Sequence, residues 1–575
     1  MLMTPARVFD PAWSTAVPDW KDRIRAGKSL VPDLPLDRSR ADRALRIFKC
    51  LRVPDIEGTP TYGEVCGPWV FDLVLAIFGA FDPITSQRMI REYFVLIPKK
   101  NGKSSIAAAI IVTALILNER PNAEALLIAP TQKIAEISFT QAAGIIRLSS
   151  TPSGTPLASL FTVHTHIKTI KYLSQDVPSE MTIKAADADV ITGSKASIVL
   201  IDETHVFASH RQAEGIFVEI RGGLSHPQNR GFLLQITTQS KTPPHGVFKS
   251  ELRQARAVRD GDLKASMLPI LYELPPEMAQ DDGWKDPDTW PLVNPHMGRS
   301  VDAGFLADQL TKAEENGDGA IALFASQHLN VEVGQSLFGD AWAGARDWAK
   351  CGDAAMTLDL LLAQSEVVTV GVDWGGADDL ASLAVLGRRA TDKAWLHWSR
   401  SWARPSVFEA RKIIASQLRD FERDGDLVVV QSGEEQAAQA AEICAAIAAS
   451  GKAPDAAAFG LDSAGVALLV DALSGVGLTE PQVVAVSQGW KLQAAISTLP
   501  LKLEERRMIH AAQPIMAWAV GNAKQELKGS NYTVTKQAAG AAKIDPLMAT
   551  FNAAMLMFLN PAAARPGPVP RIRIA

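Results

Sequence analysis

Between Val95 and Ser240, short runs of consecutive apolar residues alternate with longer stretches in which apolar positions recur every three to four residues. The runs YFVLI, ALLIAP, SIVLID and GFLLQITT lack the in–out alternation of a half-exposed strand, so each predicts a strand covered on both faces. Ser104 to Leu117 and QKIAEISFTQAAGIIRLS carry the helical period between them. Alternating buried strands and helices predict a mostly parallel sheet with helices on both sides. From Arg253 to Asn330 the chain turns polar, with LPPEMAQDDGWKDPDTWPLVNP irregular and GFLADQLTKAEENGDGAIALFASQHL helical. A second alternation starts at Glu366. VVTVGVDW and LASLAVLGR flank Gly375, Gly376 and a short acidic turn, which predicts a hairpin, and AWLHWSRSW continues it as a third strand. Helices are expected from Ser406 to Arg423 and from Gln436 to Ala449, with further strands at LVVV, AAFGLD and QVVAVS.

The expected organisation is an N-terminal segment over 1–60, an α/β domain over 61–250 and a linker or helical subdomain over 251–365. A second α/β domain follows over 366–560, with a flexible, basic, proline-rich tail over 561–575. More than one domain also follows from length, since 575 residues exceed what one core holds. The four cysteines, Cys50, Cys66, Cys351 and Cys444, form no CxxC pair, which argues against a disulfide framework or a zinc site. MLMTPARVFDPAW lacks the apolar segment of a signal peptide, and no run approaches the ~20 apolar residues of a membrane span. With 58 Lys+Arg against 63 Asp+Glu the net charge is −5, unlike that of a protein that coats DNA without specificity. A local basic groove remains compatible with that balance.

IPKKNGKS carries the first chemistry. It lies between a predicted strand and a predicted helix, the setting of a phosphate-binding loop, although Ile97 stands where the loop's first glycine is expected. Backbone N–H groups over Lys99, Lys100, Asn101, Gly102, Lys103, Ser104 and Ser105 would cradle phosphates at the helix N-terminus. Lys103 would reach the β- and γ-phosphate oxygens, and Ser104 would ligate Mg²⁺. About a hundred residues on, SIVLIDETHVF ends a buried strand in Asp202 and Glu203, suited to hold Mg²⁺ and to polarise an attacking water. Thr237, Thr238 and Gln239 sit at the tip of another strand, where polar groups can sense the γ-phosphate, or simply form a turn. These residues make the first domain an ATPase.

A second constellation is acidic. Asp373 ends VVTVGVD, Asp462 ends AAFGLD, and Asp545 heads the helix of KIDPLMATFNAAMLMF. Three carboxylates at the tips of separate elements can converge on two divalent metals, Mg²⁺ or Mn²⁺, and cut phosphodiesters. Each taken alone also fits a helix cap or turn, Asp545 beside Pro546 most of all. Asp378 and Asp379 read as turn residues first. His164 and His166 have no partner at metal-ligand spacing and read as surface histidines, and His205 as a neighbour of Glu203.

The ordered set IPKKNGKS, IAPT, VLIDETH, ITTQ, GVDWGG, GLDSAG, VSQGW and KIDPLMA resembles the large terminase subunit of tailed bacteriophages, from about Pro68 to Leu559. The resemblance implies an N-terminal P-loop ATPase domain with a mostly parallel sheet and a C-terminal ribonuclease-H-like α/β nuclease domain. It implies ATP-driven packaging of concatemeric double-stranded DNA into a procapsid and metal-dependent cleavage. The implied partners are a small terminase subunit, a portal protein and further copies in a homo-oligomeric ring, a pentamer, with no membrane. The implied location is the host bacterial cytoplasm, transiently at the procapsid portal and not in the mature virion. Such loops commonly carry a basic residue, often arginine, where Lys99 stands, contacting the γ-phosphate region; lysine offers no bidentate grip. The family usually has Gln after a Pro-Trp pair to read adenine, whereas Pro68-Trp69 here precedes Val70. Two other readings of the residues are a non-catalytic prophage remnant acting in assembly and a helicase-nuclease for repair. The intact polar set opposes the first. The short, irregular stretch between Ser240 and Glu366 opposes the second.

Overall fold

The computed structural model describes residues 14–82, 85–120, 122–174, 176–185, 196–210, 212–225, 230–279, 282–333, 341–376, 379–412, 414–462, 466–528, 531–536 and 543–564. The chain forms two compact units, Met1–Val333 and Gly334–Ala575. Among the described residues no helix is long and apolar enough to cross a membrane.

The first unit is built on one sheet. Its strands are β1 (Glu92–Leu96), β2 (Ala123–Ala129), β3 (Phe161–His164), β4 (Thr169–Tyr172), β5 (Ser179–Ala185), β6 (Ile198–Asp202), β7 (Phe232–Thr237) and β8 (Met267–Leu271), in the order β3-β4-β5-β2-β6-β7-β1-β8. Every pairing from β5 to β8 is parallel, and β3 and β4 add an antiparallel edge. Every residue of β6 and β7 is buried, as uninterrupted apolar runs require. The helix Lys103–Ile116 is apolar almost all round and correspondingly buried on most sides. Parallel pairing brings the C-terminal ends of β1, β2, β6 and β7 to one rim, where the loops carrying polar side chains open.

The boundary between units falls inside the segment expected as a linker over 251–365. Its first part belongs to the first unit, because the buried run MLPIL forms β8 and pairs with β1. Pro269 obscures that strand in the sequence, yet β8 is an edge strand, where a missing N–H is tolerated. The predicted helical stretch that follows is two helices, Ala303–Asn316 and Asp318–Leu329, broken at Gly317 with φ 85°. Residues after the boundary join the second unit, whose core includes Trp342 and Trp348.

In the second unit β9 (Ser365–Trp374), β10 (Ala381–Arg389) and β11 (Trp395–Ala403) form the expected antiparallel meander. β12 (Leu427–Val429) pairs with β11, and β13 (Phe459–Asp462) and β14 (Val483–Val486) follow β9, giving β12-β11-β10-β9-β13-β14. β15 (Met508–His510) also pairs with β11. A meander whose first strand is extended by two parallel strands is the ribonuclease-H-like arrangement. The helix expected from Ser406 to Arg423 is two pieces, Pro405–Ala410 and Ala415–Arg423. Residues 565–575 of the expected tail lie outside the described residues.

Candidate active sites

The loop after β1 is pinned from several sides. The Ile97 N–H donates to Thr237 O at 2.9 Å, so the residue in the first-glycine position is held as an extension of the sheet. The Lys99 N–H donates to Gln327 O at 2.9 Å, and Ser300 Oγ donates to Lys100 O at 2.7 Å. Asn101 is fully buried: its Nδ2 donates to Asn294 Oδ1 at 2.8 Å, and its Oδ1 accepts from the His296 N–H at 3.2 Å. Asn101 therefore anchors the loop with its side chain, leaving its backbone for the phosphates. Gly102 adopts φ 78°, a left-handed conformation that favours glycine, and starts the helix. The Lys103 side chain is buried, with Nζ 3.5 Å from both Ile97 O and Pro98 O, long contacts that phosphate oxygens can replace. Burial lowers its pKa, and the charges of Glu203 and Asp202 oppose that shift.

β6 ends opposite this loop. Ser104 Oγ donates to Asp202 Oδ2 at 2.9 Å and Ser138 Oγ to the same oxygen at 3.1 Å, while the buried Oδ1 has no hydrogen-bond partner. Burial, then the adjacent Glu203, pushes the Asp202 carboxyl up to about 6. A buried carboxylate with an unsatisfied oxygen, bonded to the hydroxyl that opens the loop's helix, fits Mg²⁺ in a nucleotide site.

Glu203 behaves oppositely. Burial alone would raise it, but His205, Lys103 and Lys99 outweigh that and hold it at about 2. Its backbone is left-handed, φ 59° and ψ 53°, an uncommon conformation for a residue with a Cβ. His205 Nδ1 lies 3.2 Å from Glu203 Oε2 and 3.1 Å from Thr237 Oγ1, and the His205 N–H donates to that hydroxyl at 3.0 Å. His205, set aside as a neighbour in the sequence, thus ties the Glu203 carboxylate to the tip of β7. The only sequence signal for it is its place two residues after Glu203.

Several predicted residues face elsewhere. The Ser105 hydroxyl meets Tyr62 OH at 2.6 Å, which leaves its backbone N–H as its part in the loop. At the β7 tip Thr237, rather than Thr238, touches the Glu203–His205 pair; the Thr238 hydroxyl donates to Gln239 O at 3.4 Å. Gln239 O accepts from Gln327 Nε2 at 2.8 Å, so Gln327 fastens both the loop and the tip. Lys99 is partly buried, and Lys241 and Glu203 are the leading charges acting on its ammonium. Val70 is fully buried, as an apolar residue in that position should be. His164 ends β3 and His166 is exposed in the following turn, consistent with surface histidines.

The acidic constellation is assembled by packing. Asp373 lies near the end of β9, and the parallel register Leu461↔Val372 sets Asp462, the last residue of β13, beside it. The helix Asp545–Met557 lies directly on β9: Thr369 Oγ1 donates to Ala553 O at 3.0 Å, and Asn552 Nδ2 to Val372 O at 2.8 Å. Any Cβ on Gly371 would fall 2.1 Å from Ala553 N and 2.2 Å from Ala549 O, so only glycine admits the helix this closely. Four helical residues advance about 6 Å and two strand residues about 6.6 Å. The step from Ala553 to Ala549 to Asp545 therefore tracks Thr369 to Gly371 to Asp373, and Asp545 arrives at the Asp373 end. Asp545 is buried and is the first residue of the helix, one past the N-cap position of Ile544.

One residue in this cluster was not anticipated. Lys543, its side chain only 2% exposed, forms an ion pair with Asp379, and its pKa, lowered by burial, is opposed by the charges of Asp545 and Asp373. Asp379, expected as a turn residue, joins the cluster through this contact; Asp378 lies outside the described residues. Among the described residues no group of three or more His, Cys, Asp or Glu is disposed to hold a metal ion. The aspartates have the right chemistry for a divalent cation, but in this arrangement they do not close into a cage for one.

Comparison with known proteins matches residues 68–256 to the ATPase domain of the terminase large subunit and residues 272–560 to its endonuclease domain. Protein YmfN of Escherichia coli (strain K12) is 24% identical over 366 residues, covering 60% of this chain and 73% of that protein. The crystal structure of the HK97 bacteriophage large terminase is similar at 19% identity and TM-score 0.43, over 89% of this chain and 99% of that one. The large terminase nuclease of thermophilic phage G20c is similar at 15% identity and TM-score 0.23, over 33% of this chain and 81% of that one. On the strength of the two domain matches, which span the nucleotide loop and the acidic cluster alike, the chain belongs to the terminase large subunit family of phage DNA-packaging motors and carries both its ATPase and its endonuclease domain.

Proposed function

We propose that ATP hydrolysis is performed by Lys99, Lys103, Ser104, Asp202 and Glu203, a reading carried by the Ser104–Asp202 hydrogen bond between loop and β6. The backbone N–H groups from Lys100 to Ser105 and the helix N-terminus cradle the phosphates. Lys103, released from its two carbonyl contacts, binds the β- and γ-phosphate oxygens. Ser104 and Asp202 would hold Mg²⁺, which would supply charge neutralisation at those phosphates. A carboxylate held at about 2 is a weak proton acceptor at neutral pH, so Glu203 acts chiefly by orienting and polarising the attacking water, with His205 fixing its position. Lys99, whose ammonium is within the influence of Glu203, supplies positive charge to the γ-phosphoryl as it transfers.

DNA cleavage belongs to Asp373, Asp462 and Asp545, with Mg²⁺ or Mn²⁺ as the divalent ion. The motor's partners are concatemeric double-stranded DNA, a small DNA-recognising subunit and a portal, on which copies of this chain form a ring, a pentamer by family resemblance. It works in the host bacterial cytoplasm, transiently at the procapsid. The test is packaging of linear DNA into purified procapsids carrying the portal, with ATP and with or without the small subunit. Nuclease-protected DNA that appears only with ATP and an intact Lys103 supports the reading. ATP turnover with no DNA protected under any combination would sink it.

A further inference from the structure

The rim of the first unit's sheet opposite the nucleotide loop opens a cavity of about 590 Å³. It lies where β6 and β7 begin, at Ile198 and Phe232, and beside the last turn of the helix Lys103–Ile116. That helix has 14 residues, which sets the cavity about 21 Å from the phosphate-binding loop. Five arginines line it, Arg40, Arg43, Arg88, Arg120 and Arg230, against a single acidic residue, Glu119. In a chain of net charge −5 this is a local reversal of sign. Ordinary pairing accounts for two of the five. Glu119 accepts from Arg40 at 2.9 Å and from Arg230 at 2.6 Å, and Arg40 also lies 3.4 Å from Asp37. Arg43 and Arg120 are exposed, and neither makes an ion pair among the described residues. Arg88 is buried, its guanidinium 4.6 Å from the Phe81 ring centroid and 5.1 Å from that of Phe232. It donates to the carbonyls of Arg230 and Ile77 and to the Tyr93 hydroxyl, all neutral acceptors, and no described carboxylate pairs with it. Carbonyls offset only part of the cost of burying a cation; an anion entering the cavity would supply the missing charge. Guanidinium forks match the oxygens of a phosphate in charge and in spacing.

We infer that this cavity is a second phosphate-binding site, separate from the ATPase loop, built around the arginines that no carboxylate of the chain neutralises. Its volume is that of a small-ligand pocket, which favours a free phosphate compound such as pyrophosphate or the phosphates of a second nucleotide. The backbone of a duplex carries the same chemistry but reaches only the exposed Arg43, Arg120 and Arg230, not the buried Arg88. The test uses the full chain and Arg43→Gln/Arg120→Gln, a double variant at two exposed positions that leaves the core intact. Pyrophosphate is titrated calorimetrically without divalent ions, so that two sites are available. The step lost in Lys103→Ala belongs to the loop. The cavity's step should survive Lys103→Ala and weaken at least tenfold in the double variant. A labelled DNA duplex is then followed by anisotropy across a salt series. Loss of duplex affinity alone in the double variant, with the salt slope lower by about 2, would make backbone phosphates the source instead. A double variant that matches the parent toward both probes would overturn the inference. So would a parent that binds polyglutamate at this site more tightly than pyrophosphate, since the cavity would then be a carboxylate site for a protein partner.

Discussion

The two acidic sites differ in where their positive charge comes from. In the first unit Asp202 and Glu203 are neighbours on one strand end, yet Asp202 is pushed up to about 6 and Glu203 down to about 2. Burial and the charge of Glu203 raise Asp202, while Glu203, despite its burial, is lowered by His205 ahead of Lys103 and Lys99; both lysines sit on the loop across the rim, supplied by one short stretch of sequence. In the second unit the carboxylates come from β9, β13 and a helix some 170 residues after β9, and the cation, Lys543, rides on the approach to that helix. A site built from one strand and one loop is fixed locally. A site built from distant elements exists only if the packing between them is exact to a fraction of an ångström, which is what Gly371 provides.

The strongest way to break the comparison is to disable one site and watch the other. Glu203→Gln keeps the shape and loses the charge, so ATP turnover should fall by about a thousandfold or more, roughly 4 kcal/mol of transition-state stabilisation, while plasmid cleavage persists. Normal turnover would remove Glu203 from the reaction. The raised Asp202 carboxyl predicts a pH effect on the order of 3 kcal/mol, since each pKa unit corresponds to about 1.4 kcal/mol. A carboxyl raised in the folded state contributes stability that is complete below the unfolded pKa, near 4, and lost as pH rises through about 6. The nucleotide-free parent should therefore lose melting temperature relative to Asp202→Asn between pH 4 and 7. Parallel melting curves for the two proteins would show that Asp202 is not strained by its surroundings.

On the other side, Asp545→Asn should cut DNA cleavage on the order of a hundredfold, about 2.7 kcal/mol, and leave ATPase untouched. Undiminished cutting would return Asp545 to the rank of an ordinary first-turn residue. The smallest effect expected is for Lys99→Ala, about tenfold in kcat with little change in KM, because a charge aimed at the γ-phosphoryl matters most in the transition state. Equal losses in kcat/KM and in nucleotide affinity would show Lys99 to be a binding residue only.

What the sequence reveals follows the same division. Runs such as SIVLID and YFVLI announce buried strands, and the polar residues just past their ends announce the nucleotide site, because strand end and loop are contiguous in the chain. β8 escapes notice because Pro269 interrupts its apolar run, and only its edge position makes that harmless. The three aspartates are visible as strand and helix termini, but Lys543 and Asp379 are not. Their pairing spans 164 residues and depends on how the last helix lies on β9. His205 and Gln327 are missed for a related reason: a histidine's or a glutamine's role is set by what it reaches, and Thr237, Gln239 and the Lys99 amide are reached only in the fold.

Gln327 has a mechanical implication. Its carbonyl holds the loop at Lys99 and its side chain holds the β7 tip at Gln239, so the two places that would register loss of the γ-phosphate are bolted to a single residue near the end of the helix Asp318–Leu329. That helix has 12 residues, which makes it about 18 Å long. A tilt of roughly 10° at the bolted end would sweep the far end through about 3 Å. A displacement small inside a nucleotide pocket is thereby enlarged at the far end of the helix in proportion to its length.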